Sequence, residues 1–593
     1  MLALVLSAVL QAASPARPAD TARVVERDVA VPMRDGTILR ADVHHPRGSG
    51  PFPTLVYRTP YGKQDVEVDY TTIQRAVARG YAVVVQDVRG RFASGGTFEA
   101  YRHEGWDGYD TIEWAAAQPW STGSIGTFGL SYPGAVQWLA AMERPPHLKA
   151  MVPAMTFASP RQFFYSGGAW DLSWAAWTWF NIAPDLRARR GLPGPATYEA
   201  ARDAWGANER RIIDQRPLLD LPDFRDVAPW YHEWMRREPG DAWWDWAELT
   251  GRYGRVDAAV LNLSGWHDEA YGPHGAPRNF AGLVAARGGW ARVREARTHL
   301  LIGPWVHGVD ATASTRSGER DFGAAAAIDY DEVVLRWMDR WVRGLRNGVD
   351  AEPPVRLFVM GAGAWRTGDR WPLAGTRADT LYLAGGGALR RVPPARPPAS
   401  PTAPGAAADA RSSFVSDPAD PVRDPFDAAY GAHDFRALAA RRDVLVFETA
   451  PLDAPLEVLG DITVELAVET DARDLDLYAR LFDVAPDGTA WNLMSPGLEL
   501  LRASYRDPAR GRQLLEPGRT YRLRVGDPVT GNRFLAGHRL RLVVMGSFQP
   551  HFSLNLQTGA SERTSAATQR ATITIRHDAA QPSRIILPVR PVP

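Results

Sequence analysis

The sequence predicts an α/β protein that carries a helical insertion and is followed by an all-β unit. Three observations predict it. Short apolar runs fit for buried strands alternate with helical patterns from Val24 to Met155 and resume after Ala258. The stretch between them, 157–253, has little strand signal and is crowded with tryptophan. From Trp365 onward, short period-two runs recur between turn signals.

At 593 residues the chain exceeds one ordinary core, and several domains are expected. The changes of texture place the α/β domain at 24–156 and 254–362 and a helical cap at 157–253. A β-sandwich of jelly-roll type follows at 363–593. Hydrophobic residues make up 45% and charged residues 23%, the proportions of a globular protein. With 68 basic and 68 acidic side chains the formal charge is zero, which gives no electrostatic footprint for nucleic acid. Cysteine is absent, excluding disulfides, thiolate catalysis and thiolate-held zinc. Met1 to Ala13 is apolar, too short to span a bilayer, and runs into Ala12-Ala13-Ser14-Pro15-Ala16. Residues 1–20 therefore read as a signal peptide, although the basic leader is missing. Export to a periplasm or secretion is expected, with a cytoplasmic location as the alternative and no membrane span in the mature chain.

In chain order, Val24 to Pro32 and Thr37 to His44 flank Asp35-Gly36, a hairpin signal. Thr54-Leu55-Val56-Tyr57 reads as a buried strand, and a helical stretch near Arg75 to Arg79 leads to a second at Tyr81 to Val85. Glu104 to Gln118 is an amphipathic helix. Lys149 to Met155, Ala258 to Leu263 and Thr298 to Ile302 are further strands, and Ile328 to Leu345 is a long amphipathic helix. Val355 to Met360 closes this domain or opens the next. Thr380 to Leu383, Ile462 to Leu466, Leu475 to Asp483 and Leu540 to Val544 are strands of the β unit, and Gly385 to Arg411, rich in Pro, Ala and Gly, reads as a mobile surface loop.

Between the strand Ile125–Phe128 and a helix beginning near Pro133 stands Gly129-Leu130-Ser131-Tyr132-Pro133-Gly134. Small residues around one serine on a strand-to-helix turn are the pattern of a nucleophile elbow. The match to G-x-S-x-G is imperfect, because Pro133 stands where the second glycine belongs and Gly134 follows one place later. A serine needs a base and an orienting acid, each standing at the end of a later strand. His307 follows Leu300–Ile302, and Asp268 follows Val260–Leu263, giving the order Ser131, Asp268, His307. His267 and His299 compete for the base, and Glu269 stands beside Asp268.

With these residues in view the chain resembles the cocaine-esterase/X-Pro dipeptidyl-peptidase family of serine hydrolases, which includes glutaryl acylases and α-amino acid ester hydrolases. The resemblance runs from about Val25 to the C-terminus. It rests on Arg58-Thr59-Pro60-Tyr61, Asp87-Val88-Arg89-Gly90-Arg91 with Ser94-Gly95-Gly96, and Gly129-Leu130-Ser131-Tyr132-Pro133-Gly134. Gly265-Trp266-His267-Asp268 and Gly303-Pro304-Trp305-Val306-His307 continue it, with Ala536 to Leu542 and Asn555 to Gly559 downstream. The family's own elbow, G-x-S-Y-x-G, accounts for the displaced glycine. The resemblance implies an α/β-hydrolase domain with an inserted cap and a C-terminal jelly roll like that of the X-Pro dipeptidyl-peptidases. It assigns Ser131 as nucleophile, His307 as general base and acid, and Asp268 as the residue fixing the imidazole tautomer. It also implies an oxyanion hole made by the Tyr132 backbone N–H and the Tyr61 hydroxyl.

Trp170, Trp174 and Trp266 are expected to line an apolar substrate pocket, while most other tryptophans pack the cap's own core. Asp87 and Arg89 are expected to brace the sheet edge, and His538 and Asn555 to be structural. The amino-acid ester hydrolases recognise an ammonium with carboxylates just after the triad aspartate, whereas Ala270 and Tyr271 stand two and three places beyond Asp268 here. The leading expectation is a serine esterase or acylase for small ester or amide substrates, working through an acyl-enzyme. An X-Pro dipeptidyl-peptidase or α-amino acid ester hydrolase is the alternative, and a non-catalytic sugar-binding protein a third reading. Neither H-E-x-x-H nor G-x-x-x-x-G-K-[ST] occurs, and no metal or cofactor is expected. A homo-oligomer is possible.

Overall fold

The computed structural model describes residues 23–394, 410–427 and 429–592. The expected signal peptide, 1–20, lies outside the described residues. So does 395–409, most of the Pro/Ala/Gly-rich stretch, whose described part includes a short strand at Ala388–Arg390.

The chain opens with the hairpin β1 (Arg23–Pro32) and β2 (Ile38–Pro46), whose turn is closed by Gly36 at φ +83° and the Asp35 carboxylate on the Thr37 N–H. It then lays down β3 (Phe52–Thr59), β4 (Ala82–Asp87), β5 (Ser121–Leu130) and β6 (Leu148–Ala154). The insertion follows, helical except for the two-residue pair β7 (Tyr165–Ser166) and β8 (Ala169–Trp170). The sheet resumes with β9 (Ala259–Gly265) and β10 (Thr298–Gly303). After the small ribbon β11 (Arg316–Ser317) and β12 (Arg320–Asp321) it ends with β13 (Val355–Val359) and β14 (Ala364–Gly368).

The sheet order is β1-β2-β4-β3-β5-β6-β9-β10-β13-β14, parallel from β4 to β13 and antiparallel at both edges. Strand β4 is buried at every residue, as a strand covered on both faces must be. One face packs under the helices Glu104–Ala116 and Tyr132–Met142, whose apolar core continues into the insertion. The opposite face packs under Thr72–Ala78 and Tyr330–Trp341.

Strand β14 lies in the stretch read as the β unit, 363–593, yet it pairs with β13 from Val355↔Gly368 to Val359↔Ala364 and so completes the first sheet. A hairpin edge strand carries the same period-two signal whichever sheet it joins, and only its partner decides.

Beyond it the chain is β-rich and almost wholly antiparallel. This unit grips both the sheet and the insertion. Met360 exchanges backbone hydrogen bonds with Gly531 and Arg533 (2.9 and 2.7 Å), Arg502 N–H donates to the Gly167 carbonyl (2.8 Å), and Leu172 N–H to that of His551 (2.9 Å). Buried Arg502 is held by Asp476 at 2.8 and 2.9 Å and by Glu562, and Asn555 donates to the same Asp476 at 2.8 Å. His538 pairs with Asp483 at 2.7 Å. Asn555 and His538 thus serve the β unit's own interior. At the first sheet's edge, Arg89 pairs with Asp107 and Asp35, while the Asp87 carboxylate accepts the Lys63 and Ala93 N–H groups. Burial raises Asp87 to a pKa of about 6.

Candidate active site

Ser131 stands between β5 and the helix Tyr132–Met142 at φ 71°, ψ −130°, a backbone conformation that side-chain-bearing residues rarely adopt. Its N–H donates to the Ala154 carbonyl at the end of β6 (3.1 Å), and its own carbonyl accepts from Gly134 and Ala135 (both 2.9 Å). The displaced glycine has a steric origin. A Cβ on Gly134 would lie 2.6 Å from the Ala154 carbonyl oxygen, so the helix can approach β6 only there. Proline is accommodated at 133 because Gly129 has no side chain; a Cβ on Gly129 would meet that of Pro133 at 2.6 Å. Buried Gln137 ties the turn down, its amide donating to the carbonyls of Gly129, Pro133 and Val152 at 3.0–3.2 Å.

Asp268 and His307 follow two adjacent parallel strands, β9 and β10. Their loops stay zipped by Trp266 N–H to Gly303 (2.8 Å) and His267 N–H to Trp305 (3.0 Å). This brings His307 Nδ1 to 2.9 Å from Asp268 Oδ1. The same carboxylate oxygen accepts the backbone N–H groups of Ala270 (3.1 Å) and Tyr271 (3.3 Å), which fixes its orientation. Burial alone would depress the imidazole pKa, but the Asp268 charge and hydrogen bond, with Glu269 behind them, hold it above its ordinary 6.5. Glu269 accepts the His307 backbone N–H at 3.0 Å, and burial raises its own pKa to about 7.

Among the described residues no hydrogen bond joins the Ser131 hydroxyl to His307. The serine side chain bears instead on the phenols of Tyr61 and Tyr271, countering in each part of the pKa rise that burial imposes. Resting sites commonly hold such groups in loose alignment. Tyr271 touches every part of the arrangement: its N–H is on Asp268, its ring centroid is 5.8 Å from that of His307, and its hydroxyl is 2.7 Å from that of Tyr101. Tyr61 accepts the Trp177 indole N–H at 3.1 Å, which leaves its own proton free to donate; half-buried, with its pKa raised by desolvation, it stays protonated at neutral pH. The Tyr132 N–H, in the first helical turn, has no intrahelical acceptor. The Tyr132 hydroxyl donates to Glu104 (2.8 Å), and its ring stacks on those of Tyr101 and Trp177 (4.1 and 6.1 Å).

The two competing histidines are placed apart from the serine. His267 is fully buried, with a pKa lowered to about 3 by burial, and faces Arg320, His433 and Arg480. His299 packs on Trp337 under the sheet, its pKa lowered to about 4 by burial. Of the three tryptophans expected in the pocket, Trp174 stands in ring contact with Trp177 and Tyr271 (5.3 and 6.4 Å). Trp266 does not line the site: its N–H donates to the Phe358 carbonyl (2.7 Å) and its ring closes against Gly531 of the β unit. Trp170 is likewise interior, stacked on Phe164 and edge-on to Tyr165 and Tyr231, with its backbone N–H on Ser553. Trp266 is spent on packing between units and Trp170 on the interior of the insertion, which no local pattern reveals. The rings beside the Ser131 and Tyr61 hydroxyls are those of Tyr271 and Trp177, packed against Tyr101, Phe157 and Phe163.

Among the described residues no group of three or more His, Asp or Glu could hold a metal ion, and no helix is long and apolar enough to cross a membrane. An imidazole oriented by a buried carboxylate, a serine on a strained turn and two candidate oxyanion donors are the parts needed for acyl transfer.

Residues 35–309 match the model of the X-Pro dipeptidyl-peptidase (S15 family), and 347–586 that of the X-Pro dipeptidyl-peptidase C-terminal non-catalytic domain. The chain is 32% identical over 589 residues to cocaine esterase of Rhodococcus sp. (strain MB1 Bresler), covering 95% of this chain and 98% of that one. Among solved structures it is similar to an α-amino acid ester hydrolase (24% identity, TM-score 0.77, 97% and 100% of the two chains). It is also similar to an aminopeptidase from the marine sediment archaeon Thaumarchaeota archaeon (22% identity, TM-score 0.78, 96% and 97%). At those identities the two structures speak to the fold alone.

Proposed function

This chain belongs to the X-Pro dipeptidyl-peptidase (S15) family of serine hydrolases, and on that premise we propose that it hydrolyses uncharged esters through an acyl-enzyme formed on Ser131. The observation that carries this reading is the 2.9 Å bond from His307 Nδ1 to buried Asp268, at the sheet edge where Ser131 is held in its strained turn. That bond leaves Nε2 as the nitrogen that takes the serine proton. The Ser131 oxygen attacks the ester carbonyl, and the oxyanion is received by the Tyr61 hydroxyl and the Tyr132 N–H. Collapse breaks the C–O bond, and His307 returns the proton to the departing alkoxide. Water, deprotonated by the same imidazole, then releases the acid and restores the serine. The 157–253 stretch acts as the cap, 24–156 and 254–362 as the α/β-hydrolase domain apart from β14, and the β-rich unit is read as a jelly roll. The apolar residues 1–20 are read as an export signal.

Substrate charge is the discriminating feature. The wall beside Ser131 is aromatic, and Tyr271 and Ala270 occupy places where an ammonium would need carboxylates; Glu269 is engaged with the His307 backbone. Placing an unpaired ammonium in such a pocket costs enough to set acyl esters ahead of aminoacyl esters by about 10²-fold, about 2.7 kcal/mol. Comparing kcat/KM for p-nitrophenyl benzoate and butyrate with phenylalanine methyl ester and Ala-Pro-anilide tests this. A preference for the two amino-bearing substrates would overturn the esterase reading in favour of the peptidase or amino-acid ester hydrolase.

The imidazole must be neutral to accept the serine proton, so kcat/KM is expected to rise with pH about an apparent pKa above 6.5. In Glu269→Gln the amide oxygen still accepts the His307 N–H, but a charge that raises the imidazole pKa is gone. The limb is expected to move to lower pH; a limb that stays put or moves upward removes His307 from this role.

A further inference from the structure

We propose that Arg91 is a positioning residue for the oxyanion donor, holding both ends of the Trp177–Tyr61 hydrogen bond from a single guanidinium. The inference rests on the reading of Tyr61 as that donor.

Arg91 follows β4 in a tight loop and is fully buried. Three of its N–H groups, one on each nitrogen, are spent on backbone oxygens of two separate segments. Nε donates to the Pro60 carbonyl at 2.8 Å, the residue immediately before Tyr61. Nη1 donates to Ile182 at 2.7 Å and Nη2 to Asn181 at 2.8 Å, the last two residues of a single π-helical turn, Thr178–Ile182. That turn begins directly after Trp177, whose indole N–H is 3.1 Å from the Tyr61 hydroxyl oxygen. One planar fork therefore fixes the segment carrying the phenol and the segment carrying the group that orients the phenol. Single π turns are uncommon and occur frequently at functional sites; this one directly follows the residue that bonds the Tyr61 hydroxyl.

The guanidinium is chosen for this task by its shape. It lies over the rings of Phe92 and Phe98 at 5.0 and 5.3 Å, with the Asp185 carboxylate 3.6 Å from Nε. Lysine keeps a charge but has no rigid fork with which to reach three carbonyls in two directions. Burial lowers the Arg91 pKa to about 10, so the group stays charged at neutral pH, and its field lowers the pKa of Tyr61, making the phenol a better donor to a developing negative oxygen. A residue that only clipped the cap to the sheet would have no reason to act through that hydroxyl.

The test is a double-mutant cycle on ester hydrolysis with the full chain. Tyr61→Phe alone is expected to lower kcat by about 10²- to 10³-fold. Arg91→Lys is expected to lower kcat by about 10- to 10²-fold with KM changed less than about threefold, and to cost less than about twofold further in the Tyr61→Phe background. Trp177→Phe, which removes the orienting N–H together with part of the ring that packs on Tyr101, Tyr132 and Trp174, is expected to show the same non-additivity in kcat. If Tyr61→Phe is impaired but the Arg91→Lys loss is fully retained in it, the positioning role is overturned while the oxyanion reading stands. If Tyr61→Phe is as active as the parent, both fall. Should Arg91→Lys fail to fold, Arg91→Gln takes its place in the cycle; a Trp177→Phe enzyme with unchanged kcat would also overturn the proposal.

Discussion

Ser131→Ala is expected to reduce kcat for p-nitrophenyl esters by about 10⁴- to 10⁶-fold and to abolish labelling by a fluorophosphonate. The size follows from the chemistry: without the hydroxyl no acyl-enzyme forms, and the residual rate is what the oxyanion donors and the pocket provide to water. The fold is expected to survive. The hydroxyl makes no hydrogen bond on which the elbow depends; the backbone of residue 131, bonded to Ala154, Gly134 and Ala135, and the Gln137 amide hold the turn. Thermal unfolding of the variant should therefore match the parent within a few degrees. A variant that keeps its turnover and its labelling would dismiss Ser131 as the nucleophile.

Asp268→Asn is expected to lower kcat by about 10⁴-fold. The carboxylate oxygen at 2.9 Å accepts from Nδ1 and so keeps the proton there and the lone pair on Nε2. An amide in the same place can turn its NH₂ toward Nδ1, which selects the other tautomer and removes the base. Because Nδ1 and the Ala270 and Tyr271 N–H groups share that one carboxylate oxygen, the turned amide also withdraws the acceptor of the two backbone donors, so thermal unfolding of the variant is measured beside its kinetics to separate loss of the base from loss of local structure. The pH profile gives an independent reading. With the charge gone, burial is left to act on His307, so any residual activity should rise about a lower apparent pKa than in the parent. Activity within tenfold of the parent would transfer the acid's role elsewhere, with Glu269 the nearest carboxylate.

Much of the site was legible because each proposed catalytic group sits in a local pattern. Ser131 lies on a strand-to-helix turn dense in small residues, and Asp268 and His307 directly follow apolar strands. In a parallel sheet the ends of such strands gather at one edge. The amino-acid composition around them also indicated an aromatic rather than ionic pocket. What escaped were residues with no local pattern of their own, whose place depends wholly on a partner distant in sequence. Tyr271 was read only as a missing carboxylate, although its hydroxyl reaches toward Ser131 and meets that of Tyr101. Trp177 was one of ten similar tryptophans in the insertion, and only its 3.1 Å bond to Tyr61 singles it out. Arg91 stood inside a recognised motif without a role, because its three acceptors are carbonyls that no side-chain pattern encodes.

The reverse error has the same source. Trp266, two places before Asp268, carried every local mark of a pocket residue, yet its indole bonds to β13 and closes against Gly531. Likewise the strand 364–368 was legible as a strand, but its membership was not.

Strands, turns and the candidate serine, carboxylate and imidazole could be located from the chain alone, since backbone preference, hydrophobic period and side-chain chemistry act within a few residues. Long-range packing set which face each tryptophan presents, which sheet an edge strand joins and which indole bonds the Tyr61 hydroxyl. Those outcomes depend on which surface arrives opposite, and burial and hydrogen bonding reward the pair, not either member alone.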